Sequence, residues 1–361
     1  MYKRSDVIDV LSWSIGILQE NPTLQAFSRI HFQDGRMVLF NDAIDISIPF
    51  PIEHNFSVEG KKLYSLIKSL QAKDEFSLRL DSKGFVSVVN KKGNVKVKLN
   101  SYDEILEDYG VCWDYDKFEW EPLPEKFIES ADTCLISVSD RMENYTLCCL
   151  HITGDTIESC DGFRISHIQG SNVGLPACAD VLVLGESIKL LKQFSWVSYS
   201  IREGWIDFKS EDGIYISFRL VAGSFPDSEE VIEFTNEVPV NFGDKENLKS
   251  IISRMNVILV RKAGVGEAER RITVKVTKDK VFFIAKKGDE WIREEIEIEN
   301  KKPVRFGIDF QFLNDLVTSE IMGGDVVQLE LNGDKTKLRI ERDDEEGKRE
   351  LVHVVALAVS E

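Results

Sequence analysis

Hydrophobic and polar positions along the chain switch between two periods, one near 3.6 residues and one of two, and the switches recur in the same order. From Asp6 to Glu20 the apolar Val7, Val10, Leu11, Ile15 and Leu18 fall at helical spacing, and Asn21-Pro22 ends the pattern. Phe27–Phe32 and Met37–Phe40 then alternate around Asp34-Gly35, which predicts a hairpin. A second helix is expected over Val58–Ala72, with Leu63, Leu66, Ile67 and Leu70 on one stripe. Strands are expected at Phe76–Leu80, Phe85–Val89 and Val95–Leu99.

The same order returns twice. A strand at Lys117–Glu121 precedes a helix over Pro124–Ser139, with Pro124 in its first turn. Leu147–His151 and Thr156–Cys160 form a hairpin around Gly154-Asp155, and Asp161-Gly162 turns the chain into Arg164–Ile168. Val181–Leu184 leads into a helix over Gly185–Phe194, then strands at Val197–Ile201, Trp205–Lys209 and Ile214–Leu220. In the third round a strand at Glu237–Phe242 precedes a helix from Asp244 to Val260. Ile272–Val276 and Val281–Ala285 pair around Lys278-Asp279, and Trp291–Ile298 and Val304–Gly307 extend that sheet. The second helix, Asp309–Ser319, is followed by Val326–Leu331, Thr336–Arg342 and Glu350–Val359.

Two landmarks measure the repeat. Hairpin turns at Asp34, Asp155 and Asp279 lie 121 and 124 residues apart, and second helices starting at Gly60, Gly185 and Asp309 lie 125 and 124 apart. The fold class is therefore α+β: three tandem modules at residues 1–117, 118–236 and 237–361, each with two helices packed on antiparallel sheet.

Composition narrows the function. The chain has 361 residues, 43% hydrophobic and 30% charged, with a net charge of −17. Its longest apolar runs fall far short of the roughly 18 residues needed to span a bilayer, and Met1–Asp6 opens no signal peptide, so a soluble cytoplasmic protein without a membrane partner is expected. The six cysteines lie between Cys112 and Cys178 without metal-ligand spacing, and the five histidines are scattered, which predicts free thiols, no metal and no cofactor. No G-x-S-x-G, phosphate loop or metal triad is present, so a non-enzymatic protein is expected; isolated acids such as Asp161 and Asp227 read first as turn residues.

An acidic chain disfavours an open nucleic-acid surface unless its basic residues are segregated. On the polar faces of the expected helices stand Lys61, Lys62 and Lys68, then Lys126, Lys189 and Lys192, then Lys245, Lys249 and Arg254. Such a set is either an ordinary solvated face or a lining that meets phosphates without reading bases. Asp309 and Asp315 on the last helix break its uniformity.

Leu123-Pro124, Cys160-Asp161-Gly162-Phe163-Arg164-Ile165, Val181–Phe194 and Leu220–Asp227 resemble stretches of the bacterial-type DNA polymerase sliding clamp, the polymerase III β subunit, and suggest a phage-encoded or divergent member. Leu123-Pro124 with Phe127, Ala131 and Ser137-Val138-Ser139 is similar to that family's middle-domain first helix. Cys160-Asp161-Gly162-Phe163-Arg164-Ile165 resembles its T-D-G-H-R-L segment, and Leu220 to Asp227, ending Gly-Ser-Phe-Pro-Asp, resembles its most specific signature. Val181–Phe194 resembles its strand-then-helix stretch. The likeness covers the chain in order and period, and in motif detail mainly residues 120–232.

The resemblance implies DNA-clamp modules in a head-to-tail homodimer, a closed ring around duplex DNA with helices inside and sheets outside. Its implied partners are double-stranded DNA held without sequence preference, a DNA polymerase and a clamp loader. It also implies a hydrophobic pocket for short linear motifs, here Gly162, Phe163, Arg164, Ile165, Pro226, Val231, Val354, Val355 and Ala356. Phe163 stands where the family has His, Glu230 where it has Arg, and the tail Ala356–Glu361 replaces M-P-M-R-L. The rival readings are a scaffold of three sheet-rich modules with no DNA role, and an enzyme working through acids near Asp161.

Overall fold

The computed structural model describes residues 1–93, 96–103, 106, 115–176, 180–259, 270–319, 326–334, 336–343 and 349–357. Val95, Cys112, Cys178, Val260 and the tail from Ala358 to Glu361 lie outside the described residues. Among the described residues the α-helices are α1 (Arg4–Ser14), α2 (Gly60–Ser69), α3 (Phe127–Cys134), α4 (Gly185–Ile188), α5 (Glu229–Ile232), α6 (Lys245–Leu259) and α7 (Phe310–Thr318). The chain divides into two compact units, residues 1–123 with 186–220, and residues 124–185 with 221–361.

In the first unit one antiparallel sheet runs Phe56–Glu59, Arg29–Gln33, Arg36–Phe40, Ile44–Pro49, Tyr215–Val221, Trp205–Ser210, Trp196–Arg202 and Glu121–Pro122. A four-stranded sheet orders Tyr2–Lys3, Glu75–Leu80, Phe85–Asn90 and Lys96–Asn100. The Asp34-Gly35 turn has φ of 49° and 75°, left-handed at both central residues as a two-residue hairpin loop requires. α2 buries Leu63 and Ile67, while Lys61, Lys62 and Lys68 stay exposed. Burying such an aliphatic side chain contributes about 1.5–3 kcal/mol, so the stripe fixes which face of the helix meets solvent.

In the second unit one antiparallel sheet runs Val238–Asp244, Val326–Leu331, Lys337–Asp343, Arg349–Ala356, Arg164–Gln169, Thr156–Cys160, Cys149–Ile152 and Val181–Leu184. A four-stranded sheet orders Glu290–Glu297, Lys280–Lys287, Arg271–Val276 and Val304–Asp309. α6 buries Leu248, Ile251, Ile252, Met255 and Leu259, and α7 buries Phe310, Leu313, Leu316 and Val317.

The first two helix pairs are built alike. α1 and α3 each run into a 3-10 turn, Ile15–Ile17 and Leu135–Ser137. Leu18 and Val138 follow those turns and press on the glycines that open α2 and α4. A Cβ on Gly60 would stand 2.1 Å from Leu18 Cδ1, and one on Gly185 would stand 2.9 Å from a Val138 methyl. Glycine is required there by close approach, since φ is not positive at either residue.

Three expectations are corrected. Lys117–Glu121 is not a strand: Tyr115–Lys117 is a 3-10 turn and only Glu121–Pro122 pairs, because Tyr115 stacks on Tyr215 at 3.9 Å instead of extending. Gly185–Phe194 is α-helical only to Ile188, then a 3-10 helix over Lys189–Gln193. Leu147 and Cys148 belong to a 3-10 turn, and the strand begins at Cys149.

Candidate functional site

The Asp161-Gly162 corner is held by its own side chain. Asp161 Oδ1 accepts from the backbone N–H of Phe163 and of Arg164, each at 2.9 Å, and Gly162 takes φ of 90°, which a side chain would resist. The corner leaves Phe163 47% exposed, unusual for so large an apolar group. Ala356 donates its N–H to the Phe163 carbonyl at 2.7 Å, which brings the end of strand Arg349–Ala356 beside the corner.

A groove of about 150 Å³ opens there, within the second unit. Gly162, Phe163, Arg164, Ile165, Pro226, Val231, Val354 and Ala356 line it, together with Cys160, Phe225, Asp227 and Lys337. Of the nine residues expected, Val355 alone is not in the lining: strand alternation sets it on the opposite face from Val354, and it is buried. Val231 rides on α5, whose last carbonyls are capped by Lys337: its Nζ donates to Glu230 O, Val231 O and Glu233 O at 3.1–3.3 Å. Sequence reasoning missed Lys337 because only its pairing opposite Ala356 brings it to the site.

A larger, polar cleft of about 640 Å³ adjoins the groove and shares Phe163, Arg164 and Ala356 with it. Its charged lining is Asp140, Arg141, Asp161, Arg164, Arg270, Arg271 and Asp309. Arg164 is the hinge between the two cavities. Its Nε donates to Asp161 at 2.8 Å, its Nη1 donates to Asp315 at 2.6 Å, and its guanidinium lies 4.7 Å from the Phe312 ring centre. Behind the groove, burial and the Arg164 charge push His353 down to about 3, so it stays neutral against Ser166.

Glu158 anchors the far wall. It faces His151 and His167 across adjacent strands and accepts from Ser228 Oγ at 2.7 Å. Burial resists its charge, but the bonds from His151, His167 and Ser228 prevail and hold it near about 2.

The nine candidate DNA-facing cations lie on or beside helices in both units. Lys61 pairs with Glu20 at 2.6 Å, Lys249 with Glu246 at 2.6 Å and Lys189 with Glu186 at 2.5 Å. Lys62 pairs with Glu59, Lys126 with Glu350, and Arg254 with Glu294. Lys68 lies over the Tyr64 ring, Lys245 approaches the Ser319 carbonyl at 3.4 Å, and Lys192 is exposed. Many of these cations thus already hold a carboxylate; the pairs of Lys62, Lys189 and Lys249 are i,i+3 and follow from spacing, whereas those of Lys61, Lys126 and Arg254 depend on the fold. α2 carries three lysines and no acid, and α6 three cations against Glu246.

Among the described residues no three His, Cys, Asp or Glu side chains are grouped to hold a metal ion, and no helix is long and apolar enough to cross a membrane.

No protein-family model matches the sequence, and no curated protein matches it. Solved structures do match. The DNA polymerase III subunit β of Pseudomonas aeruginosa aligns at 18% identity and TM-score 0.79, over 99% of this chain and 98% of that one. The Bacillus subtilis DNA polymerase sliding clamp aligns at 14% identity and TM-score 0.80, over 100% of this chain and 98% of that one. The Bartonella birtlesii sliding clamp, solved bound to griselimycin, aligns at 16% identity and TM-score 0.80, over 99% and 98%. At such identities the likeness is one of fold, and the fold of this chain is that of the sliding clamps from end to end.

Proposed function

We propose that the chain is the subunit of a DNA sliding clamp, a non-enzymatic processivity factor that encircles duplex DNA and tethers a polymerase through the Phe163 groove. The observation that carries this reading is the fold likeness to sliding clamps over essentially the whole length of both chains. It accords with three modules of about 120 residues and a cytoplasmic replication role beside a clamp loader.

Two sheet edges that carry no further strand among the described residues support a head-to-tail homodimer. The edge strand Lys96–Asn100 exposes Lys96 and Lys98, whereas the edge strand Glu290–Glu297 exposes Glu295 and Glu297. Edges of opposite charge on one chain favour pairing between two copies over pairing of like with like.

The ion pairs on the helices suit a loose grip. An exposed pair is worth about 0–1 kcal/mol, so DNA phosphate can replace Glu20, Glu186 or Glu246 at its lysine at little cost. Contacts of this kind carry no base information and let the ring slide. The acidic remainder of the surface repels DNA from the outside.

The test is retention on DNA. The protein, loaded by its cognate loader, should stay on closed circular duplex and leave once the circle is cut. Light scattering should give twice 41.1 kDa, with ring-shaped particles in negative stain. Replacing Lys61, Lys68, Lys189 and Lys249 by Glu should abolish retention without unfolding the chain. A monomer at every concentration, with no topological retention, would favour the scaffold reading.

A further inference from the structure

The second unit carries a row of titratable side chains that the groove itself does not use. His151, Glu158 and His167 are cross-strand partners on three adjacent strands. His151 Nδ1 lies 2.7 Å from Glu158 Oε1, and its Nε2 lies 2.9 Å from Asp180 Oδ1. A neutral imidazole has one N–H and cannot donate to two carboxylates, so the geometry requires the doubly protonated ring. Burial works against that charge, but the hydrogen bond and charge of Glu158, with those of Asp180, outweigh it and raise the pKa of His151.

This ring supports the groove wall in two ways. Phe225 stacks on it with centroids 5.0 Å apart and planes at 21°, and Glu158, bonded to its Nδ1, accepts the Ser228 hydroxyl. Phe225 and Ser228 flank Pro226 and Asp227, which line the groove, and Ser228 O accepts from the N–H of Val231 and of Ile232 in α5. We infer that His151 is a positioning residue of the groove: as an imidazolium held by Glu158 and Asp180, it fixes the Phe225–Ser228 segment and thereby the wall made by Pro226 and Val231. The inference rests on the groove binding an extended apolar peptide.

The surroundings of the ring give the sign. Glu158 faces it from strand Thr156–Cys160, and Asp180 faces it from just before strand Val181–Leu184, where Leu182 is its apolar cross-strand neighbour. His167 reaches the same Glu158 from strand Arg164–Gln169; beyond it the row continues with Val352 and then Glu341. Segment Phe225–Ser228 brings Asp227 to the neighbourhood. Glu158 and Asp180 are carboxylates, so the charged ring persists to higher pH than in an exposed histidine. As pH rises through its elevated pKa the ring loses one N–H, one carboxylate loses its partner, and the wall loosens.

The test is read on the free protein and then with a probe. Ring 15N spectra should show His151 protonated at both nitrogens at pH 7, with a midpoint above the ordinary histidine value near 6.5. Amide exchange at Val231 and Ile232, corrected for intrinsic rates, should lose about fivefold protection across that midpoint. His151→Phe, which keeps the stacked ring, should abolish the step. Asp180→Asn, at a side chain 72% exposed and remote from the core, should lower the midpoint with the fold intact. A neutral ring at pH 7, or a step that persists in His151→Phe and vanishes in His167→Gln, overturns the assignment. The capped dipeptide acetyl-leucyl-phenylalanine amide, followed by NMR at Phe163 and Val231, should bind about three- to tenfold more weakly above the midpoint. A protection step without dipeptide binding at any pH would sink the groove reading and leave the positioning role; pH-independent binding without a step would do the reverse.

Discussion

Arg164 Nη1 donates to Asp315 Oδ2 at 2.6 Å, tying the Asp161-Gly162 corner to α7 across 151 positions of sequence. Both side chains are mostly buried, at 11% and 20% exposure. Asp315, which from sequence breaks the basic character of the last helix, therefore has a structural partner. Asp315→Ala leaves Arg164 with Asp161 alone and removes a charge-assisted bond worth about 1.5–3 kcal/mol. Urea unfolding should register a loss within that range. The groove should also lose order at Phe163, because the guanidinium that packs on Phe312 is then held from the Asp161 side only.

How much of this was legible depends on what each residue's role needs. Helical stripes such as Leu63 and Ile67 could be read because burial of one face leaves a period. The corner at Asp161 could be read from its turn chemistry, and the Pro226 segment from its likeness to a sliding-clamp signature. Strand Ile44–Pro49 was not foreseen. Its Asp45 and Ser47 are 3% and 0% exposed, so its polar positions do not mark a solvent face. The ion pairs of Lys126 with Glu350 and Arg164 with Asp315 depend on long-range packing that no local pattern encodes. The 3-10 stretches that replace expected helix and strand, at Lys189–Gln193 and Tyr145–Cys148, share the apolar spacing of the elements they displace.

Phe163 and Val231 are 47% and 40% exposed, so truncating them removes about half the burial a core side chain would lose. Phe163→Ala with Val231→Ala should destabilise the fold by about 1–3 kcal/mol and leave it folded. A hot-spot residue in a groove costs about 2 kcal/mol or more on truncation, so the pair should weaken polymerase binding by at least about thirtyfold. Surface plasmon resonance against the polymerase, with light scattering on the same sample, would separate lost binding from lost assembly. Unchanged affinity would remove the groove from the polymerase contact.

Asp45 shows how a buried acid sets pH dependence in the first unit. Burial and then the neighbouring Asp207 push its carboxyl up to about 7, against the pull of Arg202, and its Oδ1 has no hydrogen-bond partner among the described residues. Below about pH 4 the carboxyl is protonated in both the folded and unfolded chain and opposes neither. As pH rises from about 4 to 7 the unfolded chain ionises first, so this group's contribution falls and levels off above about 7. Asp45→Asn should abolish that component. The variant should gain on the parent by on the order of 4 kcal/mol at pH 8 relative to pH 4, each tenfold change in proton affinity being worth about 1.4 kcal/mol. Denaturant curves of both proteins at the two pH values give the difference directly, and a pH-independent offset would refute the raised carboxyl.

The two edge strands make the ring reading testable by charge exchange. Lys96 and Lys98 lie exposed on one edge, and Lys98 already holds Asp81 at 2.8 Å. Glu295 and Glu297 lie exposed on the other, where both share Lys280. Lys98, Glu295 and Glu297 keep intrachain partners and Lys96 is exposed, so reversing these charges disturbs their own sheets by about 1 kcal/mol each at most. Across a pairing of the two edges, by contrast, reversal sets like charges against one another in both copies of the contact. Lys96→Glu with Lys98→Glu should raise the dimer dissociation constant by about ten- to a hundredfold, and so should Glu295→Lys with Glu297→Lys. Combining all four substitutions restores opposite signs and should recover the dimer. Sedimentation equilibrium on the three variants decides the matter: recovery in the fourfold variant is the signature of edge-to-edge pairing, whereas additive loss would place the dimer contact on other surfaces.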